Sequence, residues 1–92
     1  MPKAHARHIL VKSEKECLKL KEQILAGADF AKIAAQHSDC PSGEEGGDLG
    51  KFHKGQMVRE FDNVVFTAEV GKVQGPVKTE FGFHLIEVLS RE

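Results

Sequence analysis

Alternating apolar and polar residues predict a β-strand near each end of this chain. From Ala4 to Lys12 the period is two, which places His8 on one face with the other even-numbered residues. The same period recurs from Gly82 to Leu89, where His84 shares a face with its even-numbered neighbours. Each strand therefore begins an apolar face with a histidine. The two rings meet if the strands are neighbours in one sheet.

Helical spacing begins directly after the first strand. Ser13 and Glu16 form a capping box that starts a helix, and Gly27 ends that helix. The residues that recur at helical spacing form an apolar stripe: Cys17, Leu20, Ile24 and Ala28, widened by Leu18 and Leu25. The sequence therefore predicts an amphipathic helix that packs one face on the sheet.

Two shorter helices follow. Asp29 caps a helix from Phe30 to about His37, whose buried residues are Phe30, Ile33 and Ala34. Residues Val58 to Phe66 predict another helix, which buries Phe61 and Val65.

Glycine and proline mark the remaining connections. Residues Ser38 to Gly50 contain four of the nine glycines and one of the three prolines, so we expect turns with one short helical turn. Leu49 to Lys54 predicts a brief strand, and Gly75 to Lys78 predicts an edge strand, where proline is tolerated. The changes of period favour a mixed arrangement of helices and strands in one domain spanning residues 1–92.

Composition and charge narrow the function classes. The chain has 92 residues, 40% of them hydrophobic, which suffices for one core. Thirteen basic and fourteen acidic residues leave a net charge of -1, which argues against a nucleic-acid binder that works by bulk charge. Lysines greatly outnumber arginines, so weak association with nucleic acid or an anionic membrane surface stays open.

The cysteine pattern and the hydropathy predict where the protein resides. Cys17 and Cys40 form neither a disulfide framework nor a paired zinc-ligand spacing. No apolar run has the length of a membrane span or the pattern of a secretory leader. We therefore expect a cytoplasmic protein without a membrane span.

Metal and nucleotide sites are disfavoured by spacing. His5 and His8 are an odd number of residues apart on a strand, so they point to opposite faces, and no HxxxH or Cys/His knuckle occurs. The sequence GEEGGDLG at 43–50 lacks the GK[ST] ending of a phosphate loop. We expect no metal and no cofactor.

A cysteine hydrolase is a more specific alternative function than a metal or nucleotide site. Cys40 lies in the glycine-rich loop, within reach of His8 or His84 in a compact fold, and a thiolate beside a base is a nucleophile. The sequence offers no evident orienting group or oxyanion hole. The alternative interpretation is that Cys40 is a buried thiol without a catalytic role and that the histidines are structural and inert.

Six ordered sequence blocks together match a known family. They are HILV at 8–11, CPSG at 40–43, GGDLG at 46–50, GQMV at 55–58 followed by EF at 60–61, GPV at 75–77 and TEFGFHLI at 79–86. With these blocks the chain resembles the parvulin family of peptidyl-prolyl cis/trans isomerases over essentially its whole length, and it is especially similar to the small single-domain bacterial and archaeal members. The resemblance implies an α+β fold in which four helices surround a four-stranded antiparallel sheet, in the order βα3βαβ2.

The resemblance also implies roles for individual residues. His8 and His84 correspond to a histidine pair that is hydrogen-bonded across adjacent central strands, and Thr79 to a threonine bonded to that pair. Cys40 corresponds to a position held by cysteine or aspartate in the family. The positions that correspond to a pocket for the substrate proline ring are Leu49, Met57, Phe61 and Phe81.

These residue types suit the isomerisation of X-Pro bonds. Rotation about an amide is opposed by a barrier of about 18 to 20 kcal/mol, and no covalent bond has to be made or broken. An apolar pocket that holds the ring favours the twisted imide, because the planar, charge-separated form is the better hydrated one. The histidine pair then acts either as a hydrogen-bonded scaffold, which we favour, or by polarising the site directly. Cys40 acts electrostatically or as a nucleophile, and we favour the electrostatic role.

The resemblance further implies proline-containing polypeptides as substrates and a monomeric protein that assists folding. Family members that require a phosphorylated residue before proline carry a long basic loop after the first strand. Here that loop is Lys12 to Glu16, with no arginine and two acids, so we expect no phospho-dependence and an uncharged or apolar residue before proline. A peptide-binding or holdase module with little catalysis is the alternative function.

Overall fold

The computed structural model describes residues 3–92, which form a four-stranded antiparallel sheet with helices on both faces. The strands are β1 (Lys3–Val11), β2 (Asp48–His53), β3 (Val73–Thr79) and β4 (Gly82–Arg91). The helices are α1 (Glu14–Leu25), α2 (Phe30–His37) and α3 (Arg59–Val65), with a 3₁₀ helix at Pro41–Glu45. Strand order is β2-β1-β4-β3, so the first and last strands are the two central ones.

The predicted α+β class and four-stranded antiparallel sheet are confirmed. One detail differs from the four predicted helices, because residues 3–92 form three α-helices and the fourth helical element is a 3₁₀ helix of five residues. Pro41 starts this element, and Gly46 ends it in the left-handed conformation at φ 72°. A segment this short and rich in glycine closes one 3₁₀ turn but does not continue as an α-helix.

Both faces of the sheet are buried, which explains why β1 and β4 alternate between two apolar sets. On one face α1 and α2 cover a cluster that includes Ile9, Val11 and Leu85. On the other face Phe61 and Val65 of α3 pack against residues that include Ala6 and Ile86. The even-numbered residues of β1 and β4 therefore face α3, as the two-residue period predicts.

The predicted stripe of α1 is partly wrong. Cys17 and Leu20 are buried, and Ile24 packs against the same cluster. Leu18 and Leu25, however, are 46% and 70% exposed. Each follows a residue of the buried stripe by one position, which turns its side chain about 100° away from the sheet.

The helix starts agree with the capping signals. The Ser13 hydroxyl accepts a hydrogen bond from the Glu16 N–H at 3.3 Å, and Asp29 caps α2 by accepting from the Ala31 N–H at 3.2 Å. None of the helices in the described range 3–92 is long and apolar enough to cross a membrane.

Candidate active site

The sheet register brings His8 and His84 together on the face that carries α3. In the β1–β4 pairing Leu10 is opposite His84 and His8 is opposite Ile86, so the two histidines are diagonal neighbours. Their Nδ1 atoms lie 3.0 Å apart, and their rings stack with a centroid separation of 5.2 Å. Both side chains are buried.

A hydrogen-bonded chain extends from this pair in both directions. The Thr79 hydroxyl lies 2.7 Å from His84 Nε2 and accepts from the Phe81 N–H at 3.1 Å. At the other end Ser42 Oγ lies 3.2 Å from His8 Nε2 and donates to Cys40 Sγ at 3.2 Å. Every predicted polar residue of the site therefore belongs to one network, and Ser42 is an additional member.

With Ser42 as the donor to Cys40 Sγ, one consistent set of donors and acceptors follows along this network. Because the one hydroxyl proton of Ser42 goes to Cys40, Ser42 accepts from His8 Nε2–H. In its neutral form His8 then accepts at Nδ1 from His84 Nδ1–H, and His84 accepts at Nε2 from the Thr79 hydroxyl. All donors thus point toward Cys40 Sγ when both rings are neutral.

Burial supports the neutral form of both rings. Desolvation, followed by the nearby His84, lowers the pKa of His8 to about 4. Desolvation also lowers the pKa of His84. At neutral pH the pair therefore carries no charge, and it forms a polar but uncharged base for the site.

An open apolar cavity of about 370 Å³ lies directly above the pair. Its walls combine seven of the residues that the sequence singles out with four others. The first group is His8, Cys40, Leu49, Met57, Phe61, Phe81 and His84, and the second is Leu10, Asp39, Pro41 and Val58. Thr79 lies behind His84 and does not line the cavity.

Phe61 joins the cavity to the histidine pair. Its ring stands edge-on to both imidazoles, with centroids 5.5 Å from His8 and 5.6 Å from His84 and interplanar angles of 82°. Phe61 is itself only 3% exposed, whereas Phe81 at the rim is 54% exposed. The cavity thus has a rigid aromatic wall on one side and an accessible aromatic ring at its mouth.

The loop that carries Cys40 is tied to β1 at several points. The Asp39 N–H donates to Leu10 O at 2.7 Å, and the Ser38 hydroxyl accepts from both the Leu10 and the Cys40 N–H groups. Further along, the His8 N–H donates to Gly47 O at 2.9 Å. Gly47 has φ 85°, and a Cβ there would collide with the His8 carbonyl.

The side chains of Asp62 and Gln56 hold the turn that carries Met57. Asp62 Oδ2 accepts from the Gly55 N–H at 3.1 Å, and Gln56 Oε1 accepts from the His53 N–H at 2.5 Å. Asp62 is buried next to Phe61 at the start of α3. This arrangement fixes Met57 relative to Phe61 across the cavity.

Sequence reasoning missed several of these residues. Leu10 shares the predicted face of His8, and Ser42 follows Cys40 by two positions, so both had a local signal. Val58 was marked only by the GQMV block and as the first residue of the predicted helix. Asp39 had no signal, because its position depends on how the loop folds back on the sheet. Within residues 3–92, no group of three or more histidine, cysteine or acidic side chains is placed to hold a metal ion.

Comparison with known proteins identifies the family. The profile of the Rotamase family, PPIC-type PPIASE domain, matches residues 5–90. The foldase protein PrsA of Geobacillus sp. (strain WCH70) is 48% identical over 92 residues, which are 99% of this chain and 33% of PrsA. This chain spans about a third of the length of the first curated relatives that it matches.

Solved structures share the fold of this chain. The peptidylprolyl isomerase PrsA from Bacillus anthracis superposes with a TM-score of 0.95 at 38% identity, over 99% of this chain and 42% of that one. NmPin, the parvulin of Nitrosopumilus maritimus, superposes with a TM-score of 0.87 at 38% identity and covers 98% of both chains. The resemblance seen in the sequence blocks is confirmed, and this chain belongs to the PPIC-type peptidyl-prolyl cis/trans isomerase family.

Proposed function

We propose that this chain accelerates the cis/trans isomerisation of X-Pro bonds in flexible or unfolded polypeptides and so assists protein folding. The observation that carries the proposal is the apolar cavity that opens above an uncharged, hydrogen-bonded histidine pair. A pocket of this kind takes up a proline ring from water and leaves the preceding carbonyl free to rotate. Membership in the PPIC-type family supports the same activity.

We assign distinct roles to the walls and the base of the cavity. Leu49, Met57, Phe61 and Phe81 hold the proline ring. Burial of the imide among them removes the water that stabilises its planar, charge-separated form, and so it lowers the barrier to the twisted state. Because both binding and twisting depend on this apolar contact, truncation of a wall residue should reduce kcat/KM.

The polar residues serve mainly as a scaffold in this proposal. His8, His84 and Thr79 fix the shape of the base, and Ser42 transmits their orientation to Cys40. Since isomerisation requires no proton transfer, the network need not deliver a proton. Cys40 acts on the rotating carbonyl through its electron-rich sulfur, which destabilises the planar ground state by electrostatic repulsion.

The proposal also includes the setting in which the domain works. We propose that residues 1–92 function as one domain and as a monomer on unphosphorylated substrates in the cytoplasm. Both cysteines are free thiols, which suits a reducing compartment. Lys12, Lys15 and Lys19 line a separate depression at the start of α1 and do not line the cavity, which argues against a phosphate site beside the proline.

Two-dimensional exchange NMR on a short Ala-Pro peptide tests the activity. A catalytic amount of the protein should speed cis/trans exchange from its unaided time of tens to hundreds of seconds to below a second. Chemical-shift changes in the protein without faster exchange would contradict catalysis. That result would establish the alternative, a module that binds proline-containing segments without isomerising them.

A further inference from the structure

The cavity contains one formally charged side chain at neutral pH. Among the lining residues in the described range 3–92 only Asp39 is an acid, and none is a lysine or an arginine. The two histidines are neutral because burial lowers the pKa of each. The remaining walls are apolar apart from the Cys40 thiol. A substrate that enters the cavity therefore meets a single negative charge on an otherwise uncharged surface.

The Asp39 carboxylate is available to a substrate. The backbone N–H of Asp39 donates to Leu10 O at 2.7 Å, which fixes the residue beside the end of β1. Its side chain is exposed, and across the described part of the chain it takes part in none of the ion pairs, which are His5–Asp48, Arg7–Glu87, Lys51–Glu92 and Lys72–Glu69. A fixed backbone with an unpaired carboxylate at the mouth of an apolar cavity is suited to sensing the charge of an incoming residue.

We propose that Asp39 is a specificity-determining residue that favours substrates with a cationic side chain next to the proline and disfavours anionic or phosphorylated ones. The inference rests on the proposed isomerase function and names its preferred substrate class. An attractive partner lowers KM, whereas a carboxylate or phosphate at the same place is repelled and finds no cation in the cavity wall. For an exposed carboxylate we expect the lysine peptide to exceed the glutamate peptide in kcat/KM by about fivefold at low salt.

A matched peptide series tests this charge selection. Peptides that differ only in having lysine, alanine, glutamate or phosphoserine before the proline are assayed by exchange NMR, and a second series varies the residue after it. The ratio of the lysine to the glutamate peptide is measured on the same protein sample, which cancels any loss of folded protein. We expect this ratio to fall toward one in Asp39→Asn and, in the wild type, at 1 M NaCl.

Glu22→Gln is the matched control, because it removes the same charge from an exposed position on α1, across the sheet from the cavity. This variant should keep the wild-type ratio. The inference is overturned if Asp39→Asn retains the wild-type ratio, or if the glutamate or phosphoserine peptides are the better wild-type substrates. Failure to accelerate any peptide would instead refute the proposed isomerase function, so the two failures are distinguishable.

Discussion

The imidazoles of His8 and His84 are hydrogen-bonded at an Nδ1–Nδ1 distance of 3.0 Å, although the β1–β4 register places neither residue directly opposite the other. The diagonal offset lets the rings lie nearly parallel, at 18°, and leaves each Nε2 free for a hydroxyl. The pair thus forms the middle of a network that ends at Cys40.

The neutral pair predicts a specific dependence of stability on pH. The pKa of His8 is about 4 in the folded protein and about 6.5 when unfolded, so the unfolded chain binds more protons between these values. The contribution of His8 to the free energy of unfolding should therefore be complete above pH 6.5. The free energy of unfolding should fall by roughly 3 kcal/mol as the pH drops to 4. His84, whose pKa is lowered as well, adds to the loss in the same direction.

Urea unfolding at a series of pH values measures this slope. His8→Gln removes one of the two titrating rings, so its free energy of unfolding should vary less between pH 4 and 6.5. An unchanged slope in the variant would show that His8 is not the group that titrates. Protonation of the Asp48 carboxyl also destabilises the fold. Because hydrogen bonds from Gly50 and His5 lower its pKa, this loss occurs only below the pH range in which the histidines titrate.

Thr79 should matter to stability more than its size suggests. Thr79→Val keeps the shape of the side chain but leaves the buried Nε2 of His84 and the N–H of Phe81 without a partner. We expect a loss of about 1 to 3 kcal/mol in the free energy of unfolding. Thr67→Val is the matched control, because Thr67 is exposed and its hydroxyl donates to the backbone carbonyl of Asn63. Equal effects of the two substitutions would contradict the network.

Gly47 is predicted to hold the backbone of His8 in place. Gly47 and Gly50 both have positive φ, at 85° and 71°, so alanine is strained at either position. Only at position 47 would the new Cβ meet the His8 backbone, whereas nothing lies within 4 Å of a Cβ at position 50. Gly47→Ala should cost at least about 2 kcal/mol more than Gly50→Ala in thermal or urea unfolding. Similar losses would show that the contact with His8 is unimportant.

Cys40→Asp separates the electrostatic role of this residue from a nucleophilic one. Aspartate retains an electron-rich acceptor for the Ser42 hydroxyl but forms no thioester or thiol adduct. We expect Cys40→Asp to keep at least about a tenth of wild-type kcat/KM, a loss of no more than about 1.4 kcal/mol, and Cys40→Ala to retain less than Cys40→Asp. A folded but inactive Cys40→Asp protein would favour the nucleophilic role.

The histidine pair at the centre of the site could be predicted from the sequence because both residues lie on regular strands. A period of two fixes the faces of His8 and His84, and pairing of the first and last strands then brings the rings together. The link through Ser42 was not accessible, because it requires the loop at 38–47 to fold back on β1 through bonds such as Asp39 N–H to Leu10 O. Such tertiary bonds leave no periodic signal.

Helix α1 illustrates a second limit of pattern reasoning. Leu18 and Leu25 are apolar neighbours of the buried stripe, and composition alone cannot tell a wide buried face from a narrow one with exposed leucines. Whether Leu18 and Leu25 are buried depends on how many layers of helices cover that face of the sheet. Within the described part of the chain only α1 and α2 cover that face, so the outer side of α1 stays in solvent.

The central claim is that the cavity above the histidine pair is where X-Pro bonds are isomerised. Exchange NMR on an Ala-Pro peptide with wild type, Met57→Ala and Leu25→Ala tests it most directly. Met57 lines the cavity, whereas Leu25 is an exposed apolar residue on α1, and amide spectra establish that each variant is folded. The account predicts that Met57→Ala lowers kcat/KM at least about tenfold, or about 1.4 kcal/mol, while Leu25→Ala matches the wild type. A folded Met57→Ala protein with full activity would contradict it.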